Sequence, residues 1–392
     1  MIPYGRHSIS REDIKNIKQV LKSNWLTQGP LVEKFEKKIC KFVGAKYAVA
    51  TNSASSALHI SCLAIGLKSN QYFWTVSNSF VASANCGLHC GAKVDFVDID
   101  KNTWNISPEL LKNKLFKIKD KKKIPKILIP VHFSGQSTEQ EKIKKLSKKY
   151  NFKIIEDASH SLGGIYKGEK IGSCKWSDIT VFSFHPVKTI TTAEGGIAVT
   201  NDISVYKKLL KLRNNGITKN YLEYKKKIKS IWYYEQHSLG FNYRMNELEA
   251  SLGITQLKRI KKFIKKRNLI AKRYMKLLKN LPLQLPTIKK YNYSTFHLFV
   301  VRLKSNLIKE YSYDKFFNKI RKSGIGINLH YLPIHLQPYF KKLGFKKNYL
   351  KNSEDYSKEA ISLPIYNDLT LKDQKKVVNT LKYIILKNKK NG

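Results

Sequence analysis

Ser183–Gly196 reads SFHPVKTITTAEGG. It leaves an apolar, β-branched run, ITVFSF (179–184), and leads into a second one, IAVT (197–200). Both runs have the length and residue types of short buried strands. Pro186 stiffens the turn between them, and Gly195-Gly196 allows a tight backbone return. The first strand therefore delivers Ser183, and soon after it Lys188, to the strand's C-terminal end. In an open α/β sheet that edge is where ligands bind. A lysine held there, partly out of water, has a lowered pKa and can act as an amine nucleophile or base. The alternative is a surface lysine in a loop, which describes most lysines of this chain.

Working outward, strand-like and helix-like stretches alternate from about residue 31 to 255. KYAVATN, AKVDFVDID, KILIPVHF and FKIIEDA read as strands, and SASSALHISCLAIGL and EQEKIKKLSKKY as helices. Alternation of this kind predicts an α/β fold with a mostly parallel central sheet flanked by helices. A first helix is expected near Arg11–Leu21, before the LTQGP turn. After Met245 a long helix is expected, with Leu257, Ile260, Phe263, Ile264, Tyr274, Leu277 and Leu278 near helical spacing. It links to FHLFVVRL, IGINLHYLPIHLQPYF and a last helix near 371–387, a smaller α+β domain. The expected division is 1–255 for an N-terminal arm and large domain, and 256–392 for the linker helix and small domain.

Two further stretches carry chemistry. FKIIEDASHS places Glu156-Asp157 just after a buried strand, again at the ligand-binding edge. An ordinary N-cap Asp is the competing reading. TNSASSAL joins a strand to a helix through small hydroxylated residues. Its free N–H groups and the positive end of the helix dipole suit a phosphate. Capping by Ser53 or Ser55 explains the same residues equally well. The three stretches together say more than each alone. An anion cradle, a carboxylate and an amine are what pyridoxal phosphate requires for its phosphate, its ring nitrogen and its aldehyde. Phe80, in NSFVASANC, supplies an aromatic face for the ring, or is simply core.

Composition bounds the alternatives. The 392 residues carry 74 Lys plus Arg against 28 Asp plus Glu, a net charge of +46. Such charge invites a nucleic-acid reading. The lysine blocks, such as KIKDKKKIPK (117–126) and KRIKKFIKKR (258–267), are scattered, however, and no DNA-binding module accompanies them. Solvated surface is the better account. Cys40, Cys62, Cys86, Cys90 and Cys174 are odd in number and form no CxxC pair. Reduced thiols are expected, and no metal. With no apolar leader at MIPYGRHSIS and no apolar run of about 18 residues, a cytoplasmic protein is expected.

These stretches resemble the DegT/StrS family of nucleotide-sugar aminotransferases, which adopt the fold-type I aminotransferase fold. The likeness runs nearly end to end, through LTQGP, FVGAKYAVATNSASSALH, EDASHSLGG, VFSFHPVKTITTAEGG, LGFNYRMNELEASLGITQL and HYLPIHLQPYF. SFHPVKTITTAEGG and HYLPIHLQPYF weigh toward the subgroup of the pseudaminic acid pathway. The resemblance implies that Lys188 forms the Schiff base and that Asp157 pairs with the pyridine nitrogen. It implies that Phe80 stacks on the ring and His160 lies beside the ring oxygen. Ala54, Ser55 and Ser183 would hold the phosphate, joined by Asn242 from the partner subunit of a homodimer. Arg213, His330 and Tyr331 are candidate substrate contacts. The implied reaction moves the amino group of L-glutamate, through pyridoxamine phosphate, to C4 of a UDP-linked 4-keto sugar. Other UDP- or dTDP-linked 4-keto or 3-keto sugars are the alternatives. Family members that are sugar 3-dehydrases carry His at the Lys188 position. Two departures stand out: residues 68–78 lack the acidic residue and Pro often found before the aromatic, and Ser55 stands where relatives often have Thr.

Overall fold

The computed structural model describes residues 1–226, 228, 230–304 and 312–388. Seven strands form the central sheet: β1 Tyr47–Thr51, β2 Tyr72–Val76, β3 Lys93–Val97, β4 Ile127–Ile129, β5 Lys153–Asp157, β8 Ile179–Ser183 and β9 Gly196–Thr200. The short β6 Ile165–Tyr166 and β7 Glu169–Lys170 lie outside it, in a small sheet with Asn292–Tyr293. The central order is β1-β9-β8-β5-β4-β2-β3, and β9 alone runs against the other six. The C-terminal ends of β1, β5 and β8 therefore share one edge, and β9 starts from it.

Both faces of the sheet are covered, which is why its strands read as apolar runs and not as alternating ones. Along β8 and β9, Ile179, Val181 and Ala198 pack under Leu58 and Ile60 of α3 (Ala54–Ala64). Phe182, Ile197 and Val199 pack on the other face. There they meet α2 (Pro30–Val43) and the long helix Glu247–Leu278. Strand β2 was not anticipated. Its sequence YFWTV sits in a segment whose departures from the family pattern read as loop, yet it pairs in parallel with both β3 and β4.

The long helix passes from one core to another. Leu257, Ile260, Phe263 and Ile264 belong to the core beneath the sheet. Ile270, Ala271, Tyr274 and Leu278 belong to the core of the smaller domain. The expected boundary at residue 255 falls inside this helix. The smaller domain has a three-stranded antiparallel sheet in the order Leu283–Gln284, Phe299–Leu303, Ala360–Leu363. The helices Tyr313–Lys322 and Leu371–Asn388 accompany it. Ile334, Phe340 and Leu350, from the same half of the chain, join the apolar cluster around α3 and β2. This brings the loop that follows Asn328 over the sheet edge.

One position couples sheet and helix. Gly196 pairs with Thr51 of β1 on one side and Ser183 of β8 on the other. A Cβ there would lie 2.4 Å from Ala54 N and 2.4 Å from Ser53 C. The first turn of α3 rests on bare backbone, so nothing flexible can give way. Gly196→Ala is expected to cost about 1–3 kcal/mol, as overpacking does. The check is the urea midpoint at unchanged m-value.

Candidate active site

A cavity of about 600 Å³ opens at the sheet edge, and Lys188 lies in its wall. The turn that carries Lys188 is closed by its own N–H donating to His185 O at 2.9 Å. Burial pushes the Lys188 amine down to about 8, and the nearby Asp157 carboxylate opposes this. A neutral amine is thus accessible near physiological pH, which an exposed lysine does not offer.

Asp157 ends β5 and is buried. Its Oδ2 accepts from Ser83 Oγ at 2.7 Å. Its Oδ1 accepts from Ser159 Oγ at 2.6 Å and from Ser159 N–H at 3.2 Å. The strand holds its backbone too, since Asp157 N–H donates to Pro130 O and His132 N–H donates to Asp157 O, each at 3.0 Å. These partners keep the carboxylate aimed. His160 follows in the same turn. Its Nδ1 accepts from Ser134 N–H at 3.3 Å, so the ring proton belongs on Nε2, which faces Tyr331 Oη at 3.2 Å. Burial, with Lys188 adding to it, holds His160 well below the usual histidine range and hence neutral. The His297 ring lies against it, with centroids 4.3 Å apart, and also lines the cavity.

The N-terminus of α3 forms another part of the wall. Ser53 is its N-cap, accepting from Ser56 N–H at 3.1 Å. The first N–H groups of a helix have no intrahelical acceptor and point outward, with the positive end of the dipole. Ala54 and Ser55 supply them here, with Ser183 also in the wall. Phe80 lies four residues beyond β2, 59% exposed, with its ring 6.4 Å from that of Tyr331. His330 and Tyr331 close the far side; His330 Nδ1 is 2.8 Å from Ser362 Oγ and Tyr331 N–H donates to Asn78 Oδ1 at 3.2 Å.

The structure thus gathers Lys188, Asp157, His160, Ala54, Ser55, Ser183, Phe80, His330 and Tyr331 around one space. It does not bring Arg213 there. Arg213 Nη1 is 2.5 Å from Glu36 Oε1 and donates to Ala50 O at 3.0 Å, facing a separate cavity. Asn242 is exposed and bridges to Asn214 within its own chain. Ser83, Ser134, Ser159 and His297 escaped the sequence reading. Ser159 is the one with a local signal, two residues after Asp157, where a hydroxyl can reach back to the carboxylate.

A donor-rich helix end, a buried carboxylate and an amine of lowered pKa facing one cavity fit pyridoxal phosphate, the group that fold-type I aminotransferases use. The model of the DegT/DnrJ/EryC1/StrS aminotransferase family matches residues 7–382, and the chain belongs to that family. Among its relatives is the UDP-4-amino-4,6-dideoxy-N-acetyl-beta-L-altrosamine transaminase of Campylobacter jejuni subsp. jejuni serotype O:23/36. The two are 38% identical over 391 residues, covering 100% of this chain and 99% of the relative. Among solved structures, Helicobacter pylori PseC, an aminotransferase involved in the biosynthesis of pseudoaminic acid, superposes with a TM-score of 0.89. It is 31% identical and the match covers 98% of this chain and 99% of that one. The PLP-form of the putative sugar aminotransferase Spr1654 from Streptococcus pneumoniae gives a TM-score of 0.88 at 26% identity, covering 99% of both chains.

The ion pair of Arg213 generates a test. Glu36 is buried, and burial pushes its carboxyl up against the opposing charge of Arg213. Removing one partner strands a buried charge. Arg213→Ala is expected to lower stability by about 3–5 kcal/mol. Adding Glu36→Gln is expected to restore part of that loss, as read from denaturant midpoints of the single and double variants.

Proposed function

We propose that the chain transfers the amino group of L-glutamate to C4 of UDP-2-acetamido-2,6-dideoxy-β-L-arabino-hex-4-ulose, with pyridoxal 5'-phosphate as cofactor, in pseudaminic acid biosynthesis. The observation that carries this reading is the meeting of Lys188, Asp157 and the α3 N-terminus in one cavity. The full-length likeness to the altrosamine transaminase supports the choice of sugar. When bound, pyridoxal phosphate supplies an aldehyde that captures amines and a ring that takes up the electron pair released from a carbon–hydrogen bond.

The residues divide this work. Asp157, pinned by Ser83 and Ser159, offers its carboxylate to the protonated ring nitrogen. The first N–H groups of α3, with the Ser55 and Ser183 hydroxyls, hold the phosphate. Phe80 would cover a ring face, and neutral His160, its proton on Nε2, would donate to the ring oxygen. Lys188 would hold the aldehyde carbon until glutamate's amine displaces it, and its freed amine would carry a proton between glutamate's α-carbon and the cofactor's aldehyde carbon. With the keto sugar bound, the same amine would carry the proton the opposite way, to the sugar's C4, which keeps the nitrogen. His330 and Tyr331, which close the far side of the cavity, are placed to contact the sugar, and the lysine-rich surface favours an anionic diphosphate. Asn242, exposed on its own chain, fits a role at the phosphate of a second copy in a homodimer. The reading places the enzyme in the cytoplasm, and no described helix is long and apolar enough to cross a membrane.

Two measurements test the reading. Borohydride reduction of the holoprotein should fix the cofactor on Lys188, and Lys188→Ala should take none; attachment at another lysine overturns the site. In an amino-transfer assay with glutamate and a panel of UDP- and dTDP-linked keto sugars, turnover restricted to a 3-keto sugar overturns the C4 assignment. The amine also has a pH signature. Only the neutral form captures an aldehyde, and burial lowers the Lys188 pKa to about 8. Uptake of pyridoxal phosphate by the apoprotein should therefore rise with pH and level off above about 8. An ordinary lysine would still be gaining reactivity toward 10.5. Stopped-flow absorbance across that range reads the difference.

A further inference from the structure

Away from the catalytic cavity, three of the five thiols meet between two helices. Cys62 lies on α3, and Cys86 on α4 (Ala82–Leu88), with Cys90 in the turn that continues it. The Cys62 thiol lies beside both of the others, where α3 packs on α4. The local fold holds the α4 pair in place, with Cys86 Sγ on Ser83 O at 3.4 Å and Cys90 Sγ on Cys86 O at 3.3 Å. Two histidines border the cluster. The His59 ring stands 5.5 Å from that of His89 beside the Cys90 thiol, while its Nδ1 lies 3.3 Å from Tyr243 Oη.

Geometry and exposure distinguish the three. Cys86 and Cys90 are four residues apart on one helical path, where Cβ atoms stand about 5–6 Å apart. A disulfide needs about 3.5–4.5 Å between Cβ atoms, so these two cannot join without unwinding the turn. Cys62 approaches from the other helix and escapes that constraint. Cys62 and Cys86 are buried, and Cys90 is partly open to solvent. The charges follow the same division. The neighbouring Cys62 thiol is the largest influence drawing the Cys90 thiol below its ordinary range, with His59 and His89 adding to it. The two neighbouring thiols and burial push Cys62 up. The cluster thus places a partly open, more readily ionised thiol beside a buried one that keeps its proton.

We infer that Cys90 and Cys62 form a peroxide-sensitive dithiol that closes to a disulfide between α3 and α4. The Cys90 thiolate attacks one oxygen of hydrogen peroxide; an S–O bond forms, the O–O bond breaks, and hydroxide leaves to become water. The Cys62 sulfur then attacks the Cys90 sulfenic acid. The S–S bond forms, the S–O bond breaks, and the departing hydroxide takes the Cys62 proton as a second water. Two thiols lose two electrons and one peroxide gains them. The helices it ties are those whose other residues serve the catalytic cavity, the first turn of α3 and Ser83 of α4.

The test uses the full-length holoprotein treated with hydrogen peroxide, then alkylated, digested and analysed by mass spectrometry. A single linkage between the Cys62 and Cys90 peptides is expected, two hydrogens lighter than the reduced pair and reversed by dithiothreitol. Cys40 and Cys174, whose thiols burial pushes up to about 11 and about 12, should still alkylate at that dose. Cys62→Ser should leave Cys90 trapped by dimedone as a sulfenic acid, and Cys86→Ser should leave the linkage intact. Linkage through Cys86, earlier oxidation of Cys40 or Cys174, or undiminished alkylation of all five cysteines overturns the inference. These readouts on the unmutated protein stand even if a variant folds poorly.

Discussion

Keeping one amine partly out of water is the constraint on which the rest of this structure depends. A lysine resists burial because its charge loses solvation, and Lys188 accommodates by giving up its proton more easily. That tendency is useful only if a carboxylate, an anion site and an open space meet the same amine. The sheet achieves this by letting β1, β5 and β8 end together. β9 then runs back between β1 and β8, and its glycine start leaves room for the first turn of α3.

A depressed lysine is not by itself a site. Lys114 is also lowered by burial, yet its ammonium is fully engaged. It donates to Phe96 O at 2.6 Å and Tyr349 Oη at 2.8 Å, pairs with Asp95 at 2.7 Å and lies 4.7 Å over the Trp74 ring. Its three N–H donors are thereby taken up. The contrast shows why placement at a cavity, and not a shifted pKa alone, marks Lys188 as the reactive amine.

The buried polar network explains how a loop-borne site stays rigid. Asp157, His160 and Tyr331 come from a strand end, the turn after it and a loop of the other domain. Each is fixed by a hydrogen bond from a residue distant in sequence or a turn away. A second tie holds the far loop to β2: Ser77 Oγ lies 2.7 Å from His335 Nδ1, and His335 Nε2 lies 3.0 Å from Glu354 Oε1, all of them buried. Through such ties the smaller domain lends His330 and Tyr331 to a cavity whose other walls belong to the sheet.

Lys188, Asp157 and the Ser53–Ser55 turn were legible in the sequence because local rules place them. Each follows an apolar run that ends at the same sheet edge, and helix ends and strand ends have fixed chemistry. Strand β2 was legible in residue type, since YFWTV is an aromatic and β-branched run between two Ser-Asn pairs, but the segment's departures from the family pattern obscured it. Arg213 illustrates the opposite limit: its type suits a phosphate, but its partner Glu36 lies 177 residues away in the chain. The same holds for Ser83, which reaches Asp157 across 74 residues, and for the three thiols gathered between two helices. Local sequence determined which elements form and which residues stand at their ends. Only tertiary packing decided which of those residues face one another, because hydrogen bonds and ion pairs between distant segments depend on how the elements stack.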